Sequence, residues 1–401
     1  MMLLLPLLLL LLLPYIVMLA WVCLAIKHSK QQQVNELTKT LSKELPKSAS
    51  AEFKELETEC RLSVVVCAHA EEPRVVERCV LSLAEALKPT DQIILVLDHP
   101  TDSLLRWGGA VANGGKEAIL VNLRILNNKG EAGKKHAQRL GVTAVGDNGE
   151  NGDCVVVSVD ADCLVNKGFG DMVREHAARM LEAEESRTKG FLLLLPILMR
   201  GDSSLFGRMV EMEFVCLQAV SAGWALRGKP AMANGAGMVF THNLYVGHNQ
   251  HLTYASGDDM FLLQHAIWTQ APVGYVAEGE AVVTTGAPET LGTYLRQRVR
   301  WLSKAGGYRM PWVQVVAIIV GLAVVSGPLA TVLALCGVVD WWVAVALFGG
   351  KLFADGLTYA KCRWLWGSSV PLWVALPLEV LYPLMVLTVG IRALGANKKR
   401  W

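Results

Sequence analysis

No charged side chain occurs in residues 1–26, and none between 312 and 339. Runs this long and this apolar are unsuited to a water-facing surface, and as helices each is long enough to cross a hydrocarbon core of roughly 30 Å. Two further apolar stretches, about 341–358 and 371–394, follow the second run. Residues 61–300 have an ordinary polar composition and ample length for one core. The expected layout is an N-terminal transmembrane anchor at 1–27, a helical connector at 28–60 and a soluble domain at 61–289. An amphipathic interfacial helix follows at 290–310, and a C-terminal membrane region at 311–401 holds two to three transmembrane segments.

Residues 1–26 lack a basic leader region and a small-residue cleavage site, which favours a retained anchor over a signal peptide. Lys27, His28 and Lys30 follow immediately. Basic residues favour the cytoplasmic side, so the soluble domain is expected in the cytosol. The last apolar stretch contains Pro371, Pro377, Pro383 and Glu379 and is followed by Lys398, Lys399 and Arg400. If all four stretches span, those charges end outside, and a re-entrant or interfacial fourth segment would remove the conflict. Lys351 and Asp355, four residues apart within the third stretch, are expected to pair, the alternative being a role in acceptor passage.

The nine cysteines include no Cys-x-x-Cys pair, and Cys67, Cys154 and Cys163 sit in or beside apolar, strand-like runs. They read as reduced core residues and not as disulfides or a zinc site. A formal net charge of +2, with no basic tract interleaved with aromatics, argues against nucleic acid as a partner.

Inside the soluble region, Val155-Val156-Val157-Ser158-Val159 reads as a strand buried on both faces, because β-branched side chains suit such a sheet. The run ends on Asp160-Ala161-Asp162. At strand spacing, residues i and i+2 share a face, so both carboxylates are predicted to leave the C-terminal edge of the sheet together. Open α/β sheets bind ligands at that edge. Paired carboxylates call for a cation, and hard oxygen ligands suit Mg²⁺ or Mn²⁺, which in turn suit a diphosphate. Taken alone, an Asp-x-Asp reads more readily as a solvated strand-end turn.

Its surroundings change the reading. A strand at 62–68 ends on His69-Ala70-Glu71, and a strand at 92–97 ends on Asp98. A glycine-rich loop is expected at 106–116, a third strand over Val121–Leu126, and a helix opened by Lys134 and Lys135. Strands alternating with helices predict a mostly parallel sheet with crossover helices, and three strands ending on acids describe a ligand pocket. Further on, Phe191–Ile197 reads as a strand and Met209–Ala225 as a helix. Asn234-Gly235-Ala236-Gly237 is either a close approach to a ligand or a turn. Gly257-Asp258-Asp259 opens a helical run, Met260–Trp268, where two carboxylates serve either as caps or as functional groups. Over 290–305, Gln297, Arg300, Trp301 and Lys304 share one helical face. That face either meets a diphosphate or, with Arg296, Arg298 and Arg309, lies against anionic lipid.

Asp98, Asp160-x-Asp162, Gly257-Asp258-Asp259 and Gln297-x-x-Arg300-Trp301 occur in that order and at those separations. The set resembles the membrane-bound inverting glycosyltransferases of family 2, which include cellulose, chitin and hyaluronan synthases and ceramide glucosyltransferase. The resemblance covers about 60–305 and implies an α/β, A-type glycosyltransferase fold: Rossmann-like, mostly parallel, with transmembrane helices at both ends. It implies that Asp98 meets the uracil of a UDP-sugar, that Asp160 and Asp162 hold the nucleotide and Mg²⁺ or Mn²⁺, and that Lys134 approaches the nucleotide. Asp259 is then the general base on the acceptor hydroxyl, with Asp258 in the place of the family's Glu. Gln297 and Arg300 contact the diphosphate, and Trp301 forms a platform near the acceptor sugar. Glu71 belongs to a strand-end loop where the family has Asn before Glu and this chain has His69-Ala70.

The implied activity is metal-dependent, inverting transfer from a nucleotide sugar, a UDP-hexose, to a lipid or lipid-linked glycan acceptor. It takes place at the cytosolic face of a bacterial inner membrane, with membrane lipids as further partners. The alternative is a processive polysaccharide synthase, although four membrane segments offer little wall for a polymer channel. A nucleotidyltransferase or an inactive membrane scaffold leaves Asp259 and the Gln297 motif unexplained.

Overall fold

The structure, a computed structural model, describes residues 4–42, 60–112, 122–131, 133–146, 155–248 and 257–395, with side chains of the first helix over 12–32. In chain order the first half contains α1 (Leu4–Ser42), β1 (Leu62–Ala68), α2 (Pro73–Ala86), β2 (Gln92–Asp98), α3 (Asp102–Ala112), β3 (Leu123–Asn128), α4 (Lys134–Gly146) and β4 (Val155–Asp160). Then come β5 (Leu164–Val165), α5 (Phe169–Leu181), α6 (Glu184–Lys189), β6 (Leu192–Leu194), β7 (Ile197–Arg200), α7 (Leu205–Ala225), β8 (Met238–Thr241) and α8 (His242–Gly247). The chain continues through α9 (Asp258–Trp268), β9 (Val273–Tyr275), β10 (Val283–Gly286), α10 (Leu291–Leu302), α11 (Pro311–Leu335), α12 (Trp341–Trp366) and α13 (Ala375–Leu394). It divides into two compact units: one holds Gln31–Ile197 and Ala233–Gly286, the other Met1–Lys30, Leu198–Met232 and Ala287–Lys398.

The first of these is the α/β unit. Its seven-stranded sheet runs in the order β3-β2-β1-β4-β8-β6-β9. β3, β2, β1 and β4 are mutually parallel, with Val65 opposite Ile94 on one side and Ser158 on the other. β8 runs antiparallel to both β4 and β6. The parallel strands are valine- and isoleucine-rich because helices cover both faces, and Val64, Val66, Ile94, Val155 and Val157 are fully buried. The mostly parallel, helix-flanked sheet agrees with the sequence reading.

An ion pair that the sequence does not announce anchors the N-terminal edge of this sheet. Arg174, from α5, grips Asp91 with two hydrogen bonds, 2.7 and 3.1 Å, both residues being fully buried. Asp91 in turn accepts the N–H of Leu62 at 3.0 Å, tying the start of β1 to the turn before β2.

Two expectations need correction. Residues 106–112 are helical, not a glycine-rich loop, because Trp107, Gly108 and Ala110 continue α3; a Cβ on Gly108 would come within 2.9 Å of Leu97 Cδ1, so glycine lets the helix lie close to β2. Residues 113–121, the rest of that loop and the start of the expected third strand, lie outside the described residues, as do 43–59 of the connector and 147–154. The apolar run Phe191–Ile197 is two short strands and not one, since Pro196 has no N–H to extend the ladder. α1 runs unbroken to Ser42, through the described part of the connector.

The second unit is helical. Among the described residues, four helices are long and apolar enough to cross a membrane: Leu12–Gln32, Pro311–Leu335, Trp341–Trp366 and Leu372–Leu394. Leu12, Tyr15 and Leu19 of α1 share one buried cluster with Ala323 and Ala330 of α11 and with Val343 and Leu347 of α12. Ile318, Val332, Val345, Phe353 and Ile391 lie exposed on its surface, as expected of helices solvated by lipid tails. α13 is one continuous helix through Pro383. Lys351 does pair with Asp355, at 2.7 Å, and also binds Glu379 of α13 at 2.9 Å.

Candidate active site

In the α/β unit, β1, β2 and β4 all end at the same edge of the sheet, which places Glu71, Asp98 and Asp160 together at their C-terminal ends. Asp98 is buried and rigidly held. It accepts from Asn128 Nδ2 at 2.8 Å and from the backbone N–H of Gly133 at 2.9 Å, while its own carbonyl meets His69 Nδ1 at 2.5 Å. Glu71 folds back to accept the N–H of His69 at 2.6 Å, closing the loop after β1.

Lys134, the first residue of α4, forms an ion pair with Asp160. Burial pulls the Lys134 ammonium down, but the charge of Asp160 and its hydrogen bond outweigh this and hold it above its ordinary value. Asp162 does not obey strand spacing. β4 ends at Asp160 and the chain turns, with the N–H of Cys163 donating to the Asp160 carbonyl at 3.0 Å. Asp162 is exposed in that turn and accepts the hydroxyl of Thr285, on β10, at 3.0 Å.

The second acidic pair closes the site. Gly257, in the left-handed region with φ 98°, precedes α9 and sets Asp258 and Asp259 in its first turn. Lys135 holds Asp258 at 2.9 Å. Burial raises the Asp258 carboxyl above its usual value, and Lys135 offsets only part of that rise. Asp259 accepts the N–H of Met260 at 2.8 Å with one oxygen and that of Gly235 at 3.1 Å with the other. The Gly235 Cα lies beside both groups: a Cβ built on it would stand in ordinary contact, 3.5 Å from Lys134 Nζ and 3.8 Å from Asp259 Oδ2. Asn234–Gly237 is a turn, closed by the Gly237 N–H donating to the Asn234 carbonyl at 3.0 Å, and its Gly235 N–H is the one that meets Asp259. Lys134 thereby links the two acidic pairs.

Burial pushes Cys67 and Cys79 up to about 12 and Cys163 well above its ordinary value, so all three stay protonated at neutral pH. Among the described residues no group of three or more His, Cys, Asp or Glu side chains could hold a metal ion. Asp160 and Asp162 supply the two hard oxygen donors that Mg²⁺ or Mn²⁺ takes from protein when a substrate diphosphate completes its shell, so the donor set fits such an ion.

Residues 63–180 match the family described as glycosyl transferase family 2. The chain carries a family 2 glycosyltransferase domain. It is a glycosyltransferase, and the acid-lined edge lies largely inside the matched segment. No curated protein matches the chain. Among solved structures, a mannosyltransferase from Pyrobaculum calidifontis in complex with GDP-Man and Mn²⁺ is 13% identical, with a TM-score of 0.45, covering 83% of this chain and 87% of that one. Glucosyl-3-phosphoglycerate synthase from Mycobacterium tuberculosis is 17% identical with a TM-score of 0.36, covering 64% and 84%. S. aureus TarS, residues 1–349, is 13% identical with a TM-score of 0.37, covering 81% and 91%. These are distant likenesses, and none of them bears on the substrate of this glycosyltransferase.

Gln297, Arg300 and Trp301 belong to the helical unit, on α10. Arg300 is exposed, whereas Gln297 Oε1 is buried with no hydrogen-bond partner. Trp301 packs on Phe214 of α7 at 6.4 Å between ring centroids. Arg298 is not a lipid-facing base: it is buried, forms an ion pair with Glu213, and lies 4.3 Å over the Trp301 ring and 4.8 Å over Tyr294. Tyr294, Arg298 and Trp301 recur at i, i+4 and i+7, so a helical-face reading could have found this stripe. Thr285 and Arg174 carry no comparable signal, since their partners lie more than eighty residues away.

Proposed function

We propose that this glycosyltransferase moves a hexose from a UDP-sugar to a lipid or lipid-linked acceptor, with inversion, at the cytosolic face of a bacterial inner membrane. The observation that carries the reading is the meeting of Asp98, Lys134, Asp160 and Asp259 at one edge of a parallel sheet, the first three within the segment that matches family 2. Four apolar helices and the basic residues directly after the first, Lys27 and Lys30, support the membrane placement.

Asp98, whose carboxylate is fixed by Asn128 and Gly133, is preorganised to accept a hydrogen bond from the uracil. Asp160 and Asp162 would hold Mg²⁺ or Mn²⁺, which supplies charge stabilisation for the departing diphosphate. Lys134 adds a fixed positive charge beside it. By resemblance, Gln297 and Arg300 take the role of diphosphate contacts, Trp301 that of an acceptor platform, and Glu71 that of a nucleotide-side loop residue. Asp258 steadies Lys135 at the start of α4. Asp259 takes the proton of the acceptor hydroxyl as that oxygen attacks the anomeric carbon from the side opposite the leaving group. The bond to the diphosphate breaks as the new one forms, so one displacement inverts the centre and needs no covalent nucleophile. The protonated thiols nearby agree with this.

The test is to incubate membranes containing the protein with a panel of radiolabelled nucleotide sugars and to extract the lipids. Label in the organic phase from one UDP-hexose, with UDP released, is expected. Label retained in a high-molecular-weight polymer would replace this reading with a processive synthase, and pyrophosphate release would replace it with a nucleotidyltransferase.

A further inference from the structure

The helical unit contains a cavity of about 110 Å³ whose wall combines aliphatic side chains, among them Leu217, Val220 and Val320, with ionisable ones. Three carboxylates, Glu213, Asp355 and Glu379, line it together with one ammonium, Lys351. Lys351 and Glu379 are almost wholly buried. Lys351 is already engaged by Asp355 at 2.7 Å and Glu379 at 2.9 Å, and the Tyr15 hydroxyl donates to the other oxygen of Asp355 at 2.5 Å. Glu213 is held by Arg298 from behind the wall. Even with Arg298 counted, carboxylates outnumber cations by one.

Ionisable side chains among helices of this apolarity are costly to retain unless they meet something that uses them. Here the surplus is of acceptors and of negative charge. A phosphate head group would add to that surplus, whereas hydroxyl groups would donate into it without adding charge. The volume sets a second limit, since a cavity of roughly 150 Å³ holds a molecule the size of benzene. The space suits the few heavy atoms of a hydroxyl-bearing head group and not a sugar ring with its substituents.

We infer that this cavity binds the hydroxyl end of an uncharged amphiphile, an acylglycerol in chemical class, with its alkyl chain along the aliphatic wall. The site is distinct from the sheet-edge residues and stands on the helical unit alone. Joined to the transfer reading, and resting on it in that step, it makes the acceptor a neutral hydroxyl lipid and not a lipid phosphate.

The experiment uses full-length protein in neutral detergent without nucleotide sugar. Binding of 1,2-dioleoylglycerol and of dioleoylphosphatidate, which share their chains, is measured in separate arms by native mass spectrometry. Dioleoylglycerol should bind saturably and at least about ten-fold more tightly than phosphatidate. Glu379→Gln, which removes one negative charge and leaves Lys351 its bond to Asp355, should shrink that preference. Val320→Phe, which fills the cavity, should reduce binding of both. Equal binding of the two lipids, a preference for phosphatidate, or an unchanged preference in Glu379→Gln overturns the proposal. Should Val320→Phe not fold, displacement of dioleoylglycerol from the unaltered protein by oleyl alcohol but not by oleyl phosphate supports it, and the reverse sinks it. Because no sugar nucleotide is present, a negative result leaves the transfer reading standing. Lipid binding followed by no transfer to dioleoylglycerol refutes only the acceptor step.

Discussion

Gly235 donates its backbone N–H to Asp259 Oδ2 at 3.1 Å while Met260 donates to Oδ1 at 2.8 Å, so both oxygens of the proposed base are held by the main chain. Two N–H donors fix the plane and direction of the carboxylate. An amide in its place must turn one NH₂ toward an N–H. Asp259→Asn should therefore lower sugar transfer on the order of 10²-fold or more, with UDP binding within a few-fold of the parent. The check is paired calorimetry and single-turnover assays, and near-normal turnover would remove Asp259 from the base role.

Asp162 is tied to Thr285 and is exposed to the site edge, so it is free to turn toward a bound ion without breaking the core. Asp162→Asn should weaken UDP binding measured with Mn²⁺ and leave binding in a chelator unchanged. If both titrations weaken equally, Asp162 acts on the nucleotide and not through metal.

The Arg174–Asp91 pair is buried on both sides and shares its carboxylate with the start of β1. Removing one partner leaves an uncompensated buried charge. Arg174→Met should destabilise the α/β unit by about 3–5 kcal/mol, whereas the double replacement Arg174→Met with Asp91→Leu should recover part of the loss. Denaturant midpoints of the single and double variants decide it.

Asp258 supplies a pH signature. Its folded carboxyl binds a proton more tightly than the unfolded value of 3.8 because burial outweighs the help of Lys135. A raised carboxyl stabilises the fold at low pH, and that contribution is lost as pH rises from about the unfolded value through the folded one. Melting temperatures of Asp258→Asn in detergent should thus fall less than those of the parent across that window. An identical pH slope in the two proteins would show that other groups set it.

Arg300 is exposed on α10, and Trp301 is wedged on Phe214 with Arg298 stacked over it. Arg300→Ala and Trp301→Ala should abolish transfer in detergent and in anionic vesicles alike, while the exposed Arg296→Ala should remain active in both. If all three recover in one medium, the helix only anchors to lipid.

What the sequence determined by itself is what local periodicity controls. A valine run with charges only at its end must lie inside a sheet and release its acids at the edge, whatever else the chain does, and this places Asp98 and Asp160. Charge-free runs of membrane length name themselves for the same reason. A glycine followed by two acids before an apolar helix likewise marks the first turn that carries Asp258 and Asp259.

The tertiary structure alone decided which charges have partners. Helical spacing puts Arg298 on the face of Tyr294 and Trp301, but its carboxylate partner Glu213 and the Phe214 ring come from α7, far away in sequence. Glu379 looked like an obstacle to a membrane helix until Lys351 was found against it. Asp162 left the strand register because β4 ends at Asp160 and the chain turns at once, and a threonine more than a hundred residues later holds it. The energy of a buried charge depends almost entirely on a partner brought by chain folding, and no window of neighbouring residues contains that information.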